Sequence, residues 1–300
     1  MNTLTHLFRT PRRKILSLLL IAGILIVTAI PVWAGGAPSQ SPRSGQSQQP
    51  YLVVTEMSGE VFYEYQPGLK AQERRAKVGD RLTKSGEGIR TGSGSRATLA
   101  VDRGIGSTQL SENTDLRVKN LNTSRNGATN TQLAMNRGRV RAKVRSFNNP
   151  RSNFSIQTPT GVAGVRGTEF IVIVLPNGET RISTLDGAVA VSAQNQTQEV
   201  RSGYSSTIVP GNSPTPPALT NANLRVSLEL LPAPDTGKVR VSGVVNPINS
   251  VSLDEQILDL DTFGQFNTVV SLPADGRLRL IVRNPFGEEQ LYELIAPGGN

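Results

Sequence analysis

Histidine and cysteine supply most of the nucleophilic, acid–base and metal-binding chemistry of proteins, and this chain has almost neither. Its single histidine is His6, and it has no cysteine. Histidine-based hydrolysis, thiol catalysis and thiolate or imidazole ligation of metals therefore have no residues to use in the body of the chain. A serine–lysine mechanism would need Ser-x-x-Lys in a helical pattern, which is also missing. We expect no catalytic residue, no metal site and no cofactor.

Four carboxylates near the C-terminal end are the remaining candidates for catalysis. They are Asp254, Glu255, Asp259 and Asp261. A glycosidase needs two carboxyl groups opposed across a cleft, and a calcium site needs several converging oxygens. The spacing departs from the Asp-x-Asp-x-Asp-Gly of a calcium loop. We therefore interpret the group as a solvated acidic edge that opposes edge-to-edge aggregation.

A row of five cations is the clearest candidate for binding. It consists of Arg137, Arg139, Arg141, Lys143 and Arg145, which alternate with Gly138, Val140, Ala142 and Val144. In a strand, this alternation places all five cations on one face, about 7 Å apart. Two interpretations stay open. The cation row binds an anion or an acidic partner, or it is a solvated face that Glu or Asp neutralises from a neighbouring strand.

The elements that position these residues are predicted to be strands throughout. Asn177-Gly178 and Asp186-Gly187 are typical of tight turns, because glycine adopts positive φ without steric cost. They predict a hairpin of 170–175 with 180–185, extended into a meander by 188–192. No long stretch shows helical periodicity, whereas strand-like alternation bounded by Gly, Pro, Asn and Asp recurs. The predicted fold class is all-β.

Several spaced motifs resemble the FecR domain family over roughly residues 51–210. The motifs are Val-Gly-Asp-Arg-Leu at 78–82, Gly-Glu-Gly-Ile-Arg-Thr-Gly at 86–92, Ser-Arg-Ala-Thr-Leu at 95–99, Leu110, Thr-Asp-Leu-Arg-Val at 114–118, Arg-Gly-Arg-Val at 137–140 and Ala-Gly-Val-Arg-Gly-Thr at 163–168. The resemblance implies a periplasmic β-domain of short meanders, solenoid-like or barrel-like, first known from regulators that sense iron–citrate uptake.

Within that resemblance, Arg166, Gly167 and Thr168 are predicted to be structural residues of the family motif. Arg166 is expected to pair with backbone carbonyls or a carboxylate through its planar guanidinium, and the alternative is a ligand contact. Gly167 is expected to let the chain turn into the strand that starts near Phe170.

The sequence predicts five segments along the chain. Residues 1–34 resemble a signal peptide, with a basic start, an apolar run at 15–32 and a cleavage site at Ala34; the alternative is an uncleaved membrane anchor. Residues 35–50 should be a disordered linker and 209–221 a Pro-rich linker. They bound a FecR-like β-domain at 51–208 and a module at 222–297. The module resembles an immunoglobulin-like β-sandwich in Val-Arg-Val-Ser-Gly at 239–243, Gly-Gln-Phe at 264–266 and Gly-Arg-Leu-Arg-Leu-Ile-Val at 276–282.

The charge distribution indicates which class of partner to expect. The net charge is +9, with cations in excess over 35–150 and acids in excess over 231–300. An exported protein does not meet cellular nucleic acid, so we expect an envelope protein or an acidic glycan as partner. Membrane contact is expected only if the N-terminal segment is not cleaved. The expected localisation is the periplasm, or the cell surface after secretion.

These observations predict a non-enzymatic exported protein of the bacterial envelope that acts in sensing, signal transduction or protein–protein interaction. The resemblance links it to the regulation of iron uptake. Only fourteen residues precede the apolar run, too few to bury a core, so we expect no anti-sigma domain there. The alternative is a cell-wall or polysaccharide-binding protein. The aromatic content of 5% and the single tryptophan, Trp33, weigh against it.

Overall fold

The computed structural model describes residues 49–65, 72–234 and 237–295, apart from the side chain of Arg103. All of them belong to one compact unit, Ser47–Asn300. The predicted signal peptide at 1–34 and nearly all of the predicted linker at 35–50 lie outside the described residues.

The described residues form strands and one short 3-10 helix at Asp102–Gly104. Within these residues, no helix is long and apolar enough to span a membrane. The strands are β1 Leu52–Ser58, β2 Val61–Tyr65, β3 Gln72–Arg75, β4 Arg81–Leu82, β5 Gly88–Thr91, β6 Arg96–Val101, β7 Gly106–Leu110, β8 Asp115–Thr123, β9 Thr129–Val144, β10 Asn153–Gln157, β11 Val162–Val165, β12 Thr168–Val174, β13 Thr180–Asp186, β14 Ala188–Ala193, β15 Gln196–Arg201, β16 Tyr204–Ile208, β17 Ala218–Leu219, β18 Val226–Pro232, β19 Lys238–Val245, β20 Ser250–Leu253, β21 Gln256–Leu258, β22 Gln265–Ser271, β23 Arg277–Arg283 and β24 Glu289–Ile295. The all-β prediction is confirmed.

The first seventeen strands form two stacked layers. Layer A has the order β4-β1-β6-β7-β9-β12-β13-β16-β17. Layer B has the order β3-β2-β5-β8-β9-β10-β11-β14-β15. All these pairs are antiparallel except β9 with β10. Each layer ends in edge strands, so the domain is an open sandwich and not a closed barrel.

Strand β9 belongs to both layers, and a bulge explains how. Met135 pairs with Leu116, but Arg137 pairs with the preceding residue Asp115, which leaves Asn136 unpaired. The extra residue bends the strand. Gly138 follows with φ +102°, and a Cβ there would lie 2.4 Å from the Cα of Thr114. Only glycine fits this position, and the strand passes from layer B into layer A.

One apolar core lies between the two layers. Its members come from both halves of β9 and from most other strands, and they are largely aliphatic. Phe154 of layer B meets Phe170 of layer A edge-to-face at 6.5 Å. Full burial of one such large apolar side chain contributes about 1.5–3 kcal/mol. A core of this size holds the sandwich without disulfides.

The predicted hairpin is confirmed, but its extension into a meander is wrong. Strands β12 and β13 pair across a turn at Gly178, where φ is +84°. Strand β14 pairs with β11 and β15 in layer B and not with β13. At Gly187, with φ +78°, the chain crosses between layers. An Asp-Gly signal predicts a change of direction, but it does not show whether the next strand stays in the same sheet.

The C-terminal residues form two small antiparallel sheets that share a second apolar core. One sheet has the order β18-β19-β22 and the other β21-β20-β23-β24. Part of the predicted linker at 209–221 lies along layer A. Strand β17 pairs with β16, and Thr215 exchanges backbone and side-chain hydrogen bonds with Thr207. The division into independent domains at this segment stays a prediction.

Candidate functional site

The cation row lies on the outer face of layer A, in the half of β9 that follows the bulge. Val140, Ala142 and Val144 point into the core, which sends the intervening side chains outward. Arg137 stands at the bulge itself and is exposed. Arg145 follows the last residue of β9, and its backbone N–H donates to the carbonyl of Ile105 at 2.9 Å. The five cations therefore share one strand but have different surroundings.

Two cations of the row share one carboxylate on the neighbouring strand. Glu169 of β12 lies directly opposite Lys143. Its Oε1 accepts from Nε and Nη2 of Arg141 at 2.9 and 2.6 Å, and Lys143 Nζ lies 3.4 Å from Oε2. Burial acts to raise the pKa of Glu169, but the hydrogen bonds and charges of Arg141 and Lys143 outweigh it, so the pKa lies below its usual value. For Arg141, this geometry agrees with the second interpretation, in which a carboxylate on a neighbouring strand neutralises the cation.

Arg139 is covered by a different part of the chain. Its Nη1 donates to Ser111 Oγ at 3.1 Å, and its Nη2 donates to the carbonyl of Ile248 at 3.3 Å. Its Nε is buried and has no hydrogen-bond partner in the described part of the chain. Burial, with the nearby charge of Arg141, lowers the pKa of Arg139 to about 10. The guanidinium stays charged at neutral pH, because arginine does not lose its proton in proteins.

Three cations of the row are exposed residues, and we call them the exposed cations: Arg137, Lys143 and Arg145. No carboxylate within 49–65, 72–234 or 237–295 forms an ion pair with Arg137 or Arg145. Lys143 keeps 73% of its side chain exposed. Lys143 and Arg145 also line a cleft of about 590 Å³ at the end of layer A, together with Ser107 and Asp186. These are the residues of the row that are most open to a partner.

The three family-motif residues make contacts within the fold. The Arg166 guanidinium donates to the carbonyl of Pro150. Gly167 has φ +147°, and a Cβ there would lie 2.5 Å from the Cα of Ser146. The hydroxyl of Thr168, a buried residue, donates to the carbonyl of Ala188 at 2.9 Å. Together they hold the corner where the chain leaves layer B and enters β12.

Three of the four C-terminal carboxylates have partners, and each has a different one. Asp259 pairs with Arg96 at 3.1 Å, Asp261 accepts two backbone N–H groups of its own turn at 2.8 Å, and Asp254 accepts from the backbone N–H of Arg279 at 2.9 Å. The described residues hold no cluster of three or more His, Cys, Asp or Glu side chains suited to a metal ion.

Sequence reasoning missed a second charged surface, on the outer face of layer B. The guanidinium carbons of Arg75 and Arg90 lie 5.1 and 4.5 Å from the centre of the Phe62 ring, and Glu64 pairs with both Arg90 and Arg117. The only signal in the sequence was the same-face spacing of Phe62 and Glu64. Their partners come from strands that are distant in sequence, so no local pattern connects them.

The fold and surface define an all-β protein built on a two-layer sandwich with cations on an outer face. Residues 87–190, from β5 to β14, match the model of the family described as "FecR protein". The chain therefore contains a FecR domain at these positions, within the wider region where the resemblance was found. No curated protein sequence matches the chain. The match does not extend to the C-terminal module.

Two solved structures are similar to part of the chain. They are crystal structures, at 1.65 and 2.50 Å resolution, of a protein described as a "putative anti-sigma factor" from Parabacteroides distasonis ATCC 8503. Each is 16% identical in sequence, with a TM-score of 0.38, and the match covers 44% of this chain. It spans 59% of that protein's own length.

Proposed function

We propose that this protein is an exported, non-enzymatic protein of the bacterial envelope, whose FecR domain binds a protein partner in sensing or signal transduction. The observation that carries the proposal is the FecR match over residues 87–190. The family resemblance also suggests a link to the regulation of iron uptake. Export follows from the basic and apolar pattern of residues 1–34, with the mature chain starting near Gly35.

The partner surface of this proposal is formed by the exposed cations. Arg137 and Arg145 have no ion pair within the described ranges, and Lys143 shares Glu169 with Arg141. Exposed cations that outnumber their local counter-ions favour an acidic partner, and they speed its approach by long-range attraction. We infer an acidic surface of an envelope protein as the partner.

The C-terminal module is proposed to be immunoglobulin-like. Two packed antiparallel sheets of three and four strands around one core support this assignment, because that arrangement suits a small sandwich. In this proposal the module is an accessory to the FecR domain and does not carry the signalling function.

Polysaccharide binding is the second candidate, and one groove favours it. The groove has a volume of about 740 Å³ and lies between layer A and the module. Hydroxyl and amide side chains line it, among them Ser58, Ser93 and Asn267, together with charged side chains such as Arg96 and Glu229. Such groups suit the hydroxyls of a sugar. The groove offers few aromatic side chains for stacking, so we expect weaker binding there than through the exposed cations.

Affinity capture from an envelope extract tests the proposal. The bait is the full chain, compared with an exposed-cation variant that combines Arg137→Gln, Lys143→Gln and Arg145→Gln. We expect the wild type to retain one or more proteins that the variant releases. Capture of murein or another glycan, equal for both baits, would contradict the proposal and favour the groove.

A further inference from the structure

Strand β12 is buried on both faces, which is unusual for a strand in a two-layer sandwich. Phe170, Val172 and Val174 point into the sandwich core. The alternate residues Ile171, Ile173 and Leu175 point outward, yet they are also buried. We call these three residues the β12 outer patch. Such a surface needs a cover to keep it from water.

The C-terminal module supplies that cover with a single turn. The turn is closed by a hydrogen bond from the backbone N–H of Asn249 to the carbonyl of Asn246 at 2.9 Å. Ile248 of this turn packs on the β12 outer patch, with Ala222 beside it. The carbonyl of Ile248 then accepts from Arg139 at the border of the patch. The side chains of Ile248 and Ala222 and one backbone carbonyl thus make the contact.

The hydrogen bonding of Arg139 in this contact is incomplete. Nη2 donates a hydrogen bond to the Ile248 carbonyl, but Nε on the same edge of the guanidinium has no partner in the described residues. Two residues away, Arg141 uses this same edge fully, because its Nε and Nη2 both donate to Glu169. A partly buried cation that faces only neutral acceptors is costly, and a carboxylate forms stronger, bidentate bonds with it. The Nε and Nη2 edge of Arg139 is therefore suited to a carboxylate. No described residue places one there while the turn covers it.

We propose that Arg139 is a covered carboxylate-binding site, and that an acidic peptide opens it. A Glu or Asp side chain takes the Nε and Nη2 donors, replaces the carbonyl of Ile248, and releases the turn from the β12 outer patch. The ligand class is an acidic peptide segment. The site differs from the exposed cations, because the Nε and Nη2 edge of Arg139 is reached only when the turn moves. The proposal does not rest on the function proposed above.

The lack of cysteine in the chain allows a direct test. A single Ile173→Cys substitution in the full chain places one thiol under the turn, and its rate of alkylation reports the opening. The probe is a tetraglutamate peptide, with tetraglutamine and sodium chloride at matched ionic strength as controls. We expect tetraglutamate alone to raise the labelling rate about fivefold or more, the usual range for coupled binding.

Two further variants identify the group that binds the peptide. Arg139→Lys keeps the charge but lacks the planar donor edge, so tetraglutamate should no longer accelerate labelling. The double variant Lys143→Gln and Arg145→Gln keeps Arg139, so the acceleration should persist. The proposal is overturned if tetraglutamate has no effect on the single-cysteine protein, if Arg139→Lys responds equally, or if the double variant loses the response. A Leu175→Cys reporter repeats the test if Ile173→Cys does not fold.

Discussion

The structure leaves no space for a Cβ at Gly167. The loss of stability that a side chain there would cause can therefore be predicted. The backbone φ of +147° lies in a region that side-chain-bearing residues rarely adopt, and that strain costs about 1–3 kcal/mol. The new Cβ would also lie 2.5 Å from the Cα of Ser146 and 2.9 Å from its backbone nitrogen. Forcing an extra carbon into packed structure costs about 1–3 kcal/mol more. We therefore expect Gly167→Ala to lower the free energy of unfolding by about 2–6 kcal/mol.

Gly164→Ala is the matched control. Gly164 lies on the adjoining strand β11, and a Cβ there would meet only the carbonyl oxygen of Ala190, at 3.9 Å. Its effect should stay within about 0.5 kcal/mol. Arg277→Ala, which removes an exposed pair with Glu293 at 3.7 Å, should also be nearly neutral.

Urea unfolding compares the three variants. With an m-value of about 2 kcal/mol/M, a loss of about 4 kcal/mol moves the midpoint by about 2 M. Because whole domains are stable by only about 5–15 kcal/mol, Gly167→Ala should lose much of its resistance to urea. Equal midpoints for Gly167→Ala and Gly164→Ala would refute the reasoning, since they would mean that the turn into β12 tolerates a side chain.

Three further predictions concern charge and processing. The pKa of Glu169 lies below its unfolded value of about 4.3. Its ionised form therefore adds stability above that pH, and the contribution is lost as the pH falls through the folded pKa. Melting temperatures between pH 7 and pH 3 should fall more steeply for the wild type than for Glu169→Gln, and parallel curves would be inconsistent with the ion pair. The exposed-cation variant should keep its melting temperature nearly unchanged, whereas Arg139→Gln with Arg141→Gln should melt clearly lower; equal melting would show that the two arginines contribute nothing to the fold. N-terminal sequencing of the exported protein should begin near Gly35, and an intact N-terminus in the membrane fraction would identify an anchor instead.

Local patterns in the sequence were sufficient to predict much of the fold. The Asn177-Gly178 turn predicted the β12–β13 hairpin, and the alternation of cations with small apolar residues predicted the outward face of the second half of β9. Both depend on interactions between near neighbours. The motif around Gly167 likewise indicated a position that needs glycine, because its backbone conformation is a local property.

Features that depend on distant residues could not be predicted in this way. The bulge at Asn136 arises from pairing with β8, and the passage of β9 between layers follows from it. The partner of Arg141 is on β12, and the cover over Arg139 comes from Ile248, more than a hundred residues away in sequence. The cations of the row look alike in the sequence. Only the tertiary structure distinguishes the partly buried Arg139, the two cations that share Glu169, and the exposed Arg137 and Arg145.

The central claim is that the exposed cations bind an acidic protein of the envelope, and its most direct test is the salt dependence of that binding. The measurement is the affinity of the captured partner for the wild type and for the exposed-cation variant. Salt is raised from about 0.1 M to about 1 M, which shortens the Debye length from about 10 Å to about 3 Å. We predict that wild-type binding weakens steeply with salt, while the variant binds weakly at every salt concentration. Equal affinity and equal salt dependence of the two proteins would contradict the claim.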